Sequence, residues 1–177
     1  DHARVKPGQR VLVVGASGSI GTYAVQLARH FGAEVSGVCS GANTELVHSL
    51  GAHHVYDYTR EDFTRSQRRY DVVFDTVGKS SFRQCVPVLT PQGCFVATTG
   101  LLNYAWAACT RLWRGRRVIT GMSVDKTRAL PYISELLDAG TLRVVIDRRY
   151  PLDDIAEAHR HVDTGHKRGN VVIHVAD

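Results

Sequence analysis

The chain has 177 residues, 44% hydrophobic and 22% charged, enough to bury a core of its own. Its 22 basic and 17 acidic residues leave a net charge of +5, partly gathered at Arg65, Arg68, Arg69, Arg111, Arg114, Arg116 and Arg117. No nucleic-acid motif accompanies that charge and no apolar run reaches bilayer length, so we expect neither a nucleic-acid partner nor a membrane span.

Residues 10–21, RVLVVGASGSIG, are the most informative stretch. Four consecutive apolar residues predict a buried parallel strand, and a glycine-rich turn follows at once. Residues 22–31 predict a helix, with Ile20, Ala24, Leu27 and Ala28 on one face and Gly32 placed to stop it. Free backbone N–H groups at such a helix start, aided by its dipole, suit a pyrophosphate. In this reading Gly18 admits the phosphate to the backbone, and Gly21 lets the helix pack closely on the strand. The pattern is A-x-G-x-x-G, with Ala16 where the strict dinucleotide fingerprint has its first glycine. Gly78-Lys79-Ser80 is not a phosphate loop, because Val73 stands where such a loop needs glycine.

Strands and helices then alternate. Strands are predicted at 34–39, 54–56, 71–75, 93–98 and 117–122, with a turn at 91–93 and a short helix at 44–50 closed by Gly51. This order predicts an α/β fold with a doubly wound parallel sheet. Ligand then binds where the strands end, at Gly15, Ser40, Tyr58, residues 75–78 and residues 98–100. The last third differs: a helix at 129–139, a strand at 144–150, a helix at about 153–162 and a strand at 170–175 predict a separate small ββ/helix lobe.

The end of the second strand, VCSGAN at 38–43, holds no acid to bind a ribose 2′-hydroxyl, and Glu34 lies at the strand's other end. A 2′-phosphate is therefore tolerated, with Ser40 and Asn43 as hydrogen-bond partners, or alternatively as a loop serine and a helix cap. No Arg or Lys occupies this loop, so the usual charge partner is missing. NADPH is the expected cofactor over NADH.

The stretches VKPGQRVLV (5–13) and GASGSIG (15–21) resemble the medium-chain dehydrogenase/reductases, and within them the zinc-free quinone-oxidoreductase branch. AVQLA (24–28), LGA (50–52), YDVVFDTVG (70–78), AGTL (139–142), YPL (150–152), AEAH (156–159) and the tail from Gly165 to Val172 fit as well. The resemblance implies an NADP(H)-binding Rossmann domain over residues 1–143. It further implies that residues 144–177 are the return segment of a GroES-like catalytic domain, most of which would precede this chain. It places Gly18, Ser19 and Ile20 on the pyrophosphate, and Ser40 and Tyr58 at the 2′-phosphate. Val77 would border the adenosine, and Thr98, Thr99 and Gly100 the nicotinamide ribose and carboxamide. The basic residue common near Asn43 is absent. The implied activity is hydride transfer to a small electrophile such as a quinone, an enone or a related carbonyl compound. No proton donor is assigned. A nucleotide-binding module without catalysis, sensing redox state or serving a larger assembly, is the alternative.

Leu102, Trp106, Cys109 and Trp113 recur at helical spacing and predict one apolar face, packed on the core or on the preceding domain. That face and an exposed strand edge predict self-association into homo-oligomers. Cys39, Cys85, Cys94 and Cys109 form no C-x-x-C pair and predict free thiols rather than disulfides or a zinc site. The nine histidines, including His53, His54, His159 and His161, are expected at the surface or at caps rather than on a metal. No tyrosine is followed four residues later by lysine, which argues against a short-chain dehydrogenase. The opening at Asp1, without methionine or a signal-like leader, leads us to expect a cytoplasmic protein and a processed or excised piece.

Overall fold

A computed structural model describes residues 3–98, 101–110, 115–120, 127 and 129–175. Its elements in chain order are β1 (Arg10–Val14), α1 (Ser19–His30), β2 (Glu34–Cys39), α2 (Thr44–Ser49), β3 (His54–Asp57), β4 (Tyr70–Asp75), α3 (Phe82–Cys85) and β5 (Leu89–Ala97). They continue with α4 (Leu101–Thr110), β6 (Arg117–Thr120), α5 (Ala129–Asp138), β7 (Ile146–Pro151), α6 (Ile155–Asp163) and β8 (Asn170–His174).

The six strands β1 to β6 form one parallel sheet in the order β3-β2-β1-β4-β5-β6. The chain winds outward from β1 to β3, returns to pair β4 with β1, and winds outward again. This is the doubly wound Rossmann topology, with its reversal between β1 and β4. The apolar run of β1 serves both faces, because alternate residues of a strand point to opposite sides. Val11 and Val13 pack with Val25, Ala28, Val35 and Val47 in one core cluster, while Leu12 and Val14 pack with Val38, Val73, Phe82 and Phe95 in the other.

Two boundaries differ from the sequence pattern for local reasons. Helix α1 begins at Ser19, three residues early, because Gly18 holds an extended conformation (φ −79°, ψ 179°) as its cap. Strand β5 begins at Leu89 rather than after Pro91-Gln92-Gly93. Tyr70 pairs with Leu89, and the register then jumps to Val72 beside Cys94, so the expected turn is an irregularity within the strand. The short α3 left no periodic signal. It is fixed by a capping box, in which Ser81 Oγ accepts the Gln84 N–H and Gln84 Oε1 accepts the Ser81 N–H.

The last third is a separate two-stranded sheet, β7 and β8 in parallel with α6 between them. Its ties to the main sheet include two that use its backbone. Gln26 on α1 clasps the backbone of Arg143, its Oε1 accepting the N–H at 2.9 Å and its Nε2 donating to the carbonyl at 3.2 Å. Gly169 donates its N–H to the carbonyl of Ser17 at 2.8 Å, in a parallel bridge between Gly18 and Gly169.

Candidate functional site

A cavity of about 760 Å³ opens where the strand order reverses, at the carboxyl ends of β1, β2 and β4. That position and volume are those of small-molecule sites in open α/β sheets. Its floor is the turn between β1 and α1, including Gly15, Ser17, Gly18, Ser19 and Ile20.

Two glycines of this turn have different duties. A Cβ on Gly21 would lie 2.0 Å from the Gly15 carbonyl oxygen and 2.8 Å from Ala16 Cα, so this glycine lets helix and strand touch. A Cβ on Gly18 would meet only the Gly15 oxygen, at 3.4 Å. Packing within the protein does not demand glycine there; the cavity that Gly18 lines is the remaining reason. No side chain caps α1, which leaves its first N–H groups without a side-chain acceptor.

The second wall follows β2. Asn43 does not act as a side-chain cap of α2. Its Nδ2 donates instead to Ser17 Oγ and to Ser40 Oγ, both at 3.2 Å, so the amide ties the β2 loop to the glycine turn. Its Oδ1 is buried without a partner, an orphan acceptor at the cavity edge. Cys39 also lines the cavity, and burial pushes its thiol up to about 11, which keeps it neutral and unreactive near pH 7. Ile20, Tyr58 and Val77 bring large apolar surface to the mouth while remaining 51%, 56% and 47% exposed. Three such side chains around one opening mark a surface built to be covered.

The third wall is the loop after β4. Asp75 is buried, and its carboxylate accepts the N–H groups of Val77 (3.0 Å), Gly78 (2.9 Å) and Ser80 (2.8 Å). It thereby holds Val77, Lys79 and Ser80 against the cavity. The fourth wall comes from the small lobe: Val162, Gly165, His166 and Lys167. The Lys167 ammonium donates to the Gly169 carbonyl at 2.8 Å, and burial lowers its pKa while the Asp147 charge opposes that shift. The side chains of Ser19 and Asn170 join this wall to the floor by a hydrogen bond.

Of the residues expected from sequence, Gly18, Ser19, Ile20, Ser40, Asn43, Tyr58 and Val77 come together around this cavity. Thr98 does not line it; its hydroxyl donates to the Asp75 carbonyl at 3.2 Å. Thr99 and Gly100 lie outside the described residues. Sequence reading missed Asp75 as the fastener of its loop, although a strand-terminal Asp before glycine is a turn signal. It also missed Lys79, His166 and Lys167, whose places depend on the tertiary fold.

One half of an expectation is corrected, the packing of the α4 apolar face on the core of this chain. Helix α4 forms, but it buries Asn103 and Thr110 and leaves Cys109 exposed and Trp106 37% exposed, a face open to the preceding domain, the other expected partner. The reason lies in Thr110, whose hydroxyl accepts the Val118 N–H of β6 at 3.0 Å and donates to the Trp106 carbonyl at 2.7 Å, turning the polar edge inward. Trp106 packs on Phe82 at the rim, and Trp113 lies outside the described residues. Among the described residues all four cysteines are unpaired, no group of three His, Cys, Asp or Glu side chains is arranged to hold a metal ion, and no helix is long and apolar enough to cross a membrane.

Fold and cavity together define the class, a doubly wound Rossmann domain with a ligand-sized cleft at its switch point. Residues 50–173 match the family model described as zinc-binding dehydrogenase. The chain is 34% identical to the mouse (Mus musculus) protein named NAD(P)H oxidoreductase RTN4IP1, mitochondrial, over 95% of this chain and 48% of that one. It is 33% identical to the Arabidopsis thaliana protein named NADPH-dependent alkenal/one oxidoreductase, chloroplastic, over 94% of this chain and 41% of that one. The quinone oxidoreductase structure from Coxiella burnetii superposes with a TM-score of 0.89 at 30% identity, covering 99% of this chain and 55% of that one. The chain belongs to the zinc-binding dehydrogenase family, within the medium-chain dehydrogenase/reductases. It spans about half the length of the curated relatives it matches. The compartments in those names are the mitochondrion and the chloroplast, which lend no support to the cytoplasmic expectation.

Proposed function

We propose that this chain is the cofactor-binding part of an NADPH-dependent oxidoreductase that reduces a quinone, an enone or a related electrophilic carbonyl compound. The observation that carries the reading is the cavity itself. An uncapped helix start, a glycine whose missing side chain only a ligand would use, and a 2′-phosphate-tolerant loop all meet in one cleft at the switch point. The names of the mouse, Arabidopsis and Coxiella proteins, two oxidoreductases of NAD(P)H or NADPH and one quinone oxidoreductase, support the same reading.

In this assignment Gly18, Ser19 and Ile20 hold the pyrophosphate on the start of α1. Ser40 and Tyr58 flank the adenosine ribose, with Asn43 fixing the loop that carries Ser40. Ile20 and Val77 exclude water from the cleft mouth. A reduced nicotinamide held there would supply a hydride from C4 to the electrophilic atom of the substrate, with a proton completing the reduction. The protein's contribution is position: it holds the reacting carbons in contact and away from bulk water.

The test is calorimetric titration of the purified chain with NADPH and with NADH in one buffer. Binding of NADPH more tightly than NADH supports the reading. Preference for NADH overturns the NADPH assignment, and binding of neither overturns the site.

A further inference from the structure

The loop expected to receive the 2′-phosphate, residues 40–43, contains no cation. Its surroundings worsen that deficit. The Asp57 carboxylate stands against Gly41, in a groove that Asp57 lines with Gly41, Arg60 and Glu61 outside the main cavity. A dianionic phosphate at this loop needs a positive partner from elsewhere in the chain.

The fold brings one. Arg168, 126 positions away in sequence, extends from the small lobe and donates from Nη2 to the Ala42 carbonyl at 3.2 Å. Among the described residues this is the only hydrogen bond its side chain makes, and no carboxylate pairs with it. A guanidinium carries five donors in a fixed fork, so most remain for a ligand. Its backbone runs beside the Asp147 carboxylate, whose charged form the Arg168 N–H favours, and that carboxylate is itself bound to His161 Nε2 at 2.6 Å. The neighbouring Gly169 is locked onto Ser17 in the cavity floor. The guanidinium is therefore held at the rim of the loop by its own anchors rather than by a competing acid.

We infer that Arg168 is the cation that selects a 2′-phosphorylated dinucleotide, replacing from the small lobe of the same chain the basic residue missing from the β2 loop. This inference rests on the cofactor reading above and names the specificity determinant of that site. It also gives the small lobe a role in cofactor choice, since Arg168 reaches the loop only when β7, α6 and β8 are docked.

The experiment compares wild type, Arg168→Gln and Arg168→Lys by calorimetry with NADPH, NADH, 2′,5′-ADP and 5′-AMP, with a thermal melt of each variant. The expected result is that Arg168→Gln lowers the NADPH-over-NADH affinity ratio roughly ten-fold or more, the size of a lost charge-assisted contact. The 2′,5′-ADP-over-5′-AMP ratio falls in parallel. Arg168→Lys keeps part of both ratios, and the three melting temperatures stay within a few degrees of one another, the size of the single Arg168–Ala42 hydrogen bond. If wild type discriminates and Arg168→Gln does so equally well, the Arg168 inference is overturned while the cofactor reading stands. An equal loss for all four ligands would mean a merely structural residue and also overturns it. Binding of neither dinucleotide by wild type removes the cofactor reading, and this inference with it.

Discussion

The cavity floor and the wall facing it are built on opposite principles. The floor, from β1 through the start of α1, is set by burial. Leu12 and Val13 are fully enclosed, and helix and strand approach so closely that Gly21 has no room for a methyl group. The facing wall, from β7 to β8, is thin. Tyr150 and Ala158 are its buried apolar side chains among the described residues, and the strand β8 is half-buried along most of its length. It is held by the Gln26–Arg143 clasp, the Gly169–Ser17 bridge, the Ser19–Asn170 pair and the Arg168–Ala42 contact. Close packing makes a surface that cannot adjust, whereas a few hydrogen bonds, each worth roughly 1 kcal/mol, make one that opens at low cost. A dinucleotide between them would gain a rigid phosphate site on one side and a selective contact on the other.

The contrast is broken most severely on the floor. Gly21→Ala places a methyl group 2.0 Å from a backbone oxygen that cannot swing away. We expect a loss of about 3 kcal/mol or more, a fall in melting temperature of roughly 6–12 °C for a domain of this size. An unchanged melting curve would show that the turn is looser than it looks. On the facing wall, Gly169→Ala is also strained, by its φ of +67° and by the Val145 carbonyl oxygen 2.3 Å from the new Cβ. Here the damage should stay local. Amide exchange should quicken across residues 144–175 and remain slow in β1 and β4. A uniform rise across the chain would mean that lobe and sheet unfold as one unit.

The same contrast explains what the sequence discloses. The floor was legible because its determinants are contiguous: four apolar residues, the glycine spacing and the helix period fall within residues 10–31. The strand order followed from the alternation of periods, and Ser40 and Tyr58 from being at strand ends. The facing wall was legible only as a lobe. Its lining residues His166 and Lys167, and the reach of Arg168 to Ala42, depend on a docking geometry between segments more than a hundred residues apart. The inward turn of α4 was hidden for another reason. An apolar count ranks Trp106 and Cys109 above Thr110, yet Thr110 closes two hydrogen bonds with its single hydroxyl and takes the buried position.

A finer cut separates packing from binding within the floor itself. Gly18→Ala adds a methyl group in near-ordinary contact, 3.4 Å from the Gly15 oxygen. Stability should change by no more than about 0.5 kcal/mol, as at an unstrained surface site. NADPH affinity should nonetheless fall, by roughly ten-fold or more, because the methyl group occupies the phosphate approach. Equal affinity for wild type and variant would dissociate Gly18 from the ligand.

The smallest effect concerns the anchor of Arg168. Burial pushes the Asp147 carboxyl up, but the His161 hydrogen bond, the Arg168 N–H and nearby positive charge outweigh it and hold the pKa below its ordinary 3.8. A carboxylate with a depressed folded pKa stabilises the native state above its unfolded value, and that contribution fades as pH falls through the folded one. The window is therefore below about pH 4, where amide exchange in residues 144–175 should accelerate. Asp57 and Asp62, whose pKa values hydrogen bonds from Thr59 and Thr64 also depress, weaken in the same window, so the acid response of wild type alone assigns nothing to Asp147. The difference between wild type and Asp147→Asn does. The variant should exchange faster in the lobe already at neutral pH and show a shallower further rise on acidification. Parallel pH curves for the two proteins would place the anchoring of the Arg168 loop in the Gly169–Ser17 bridge alone.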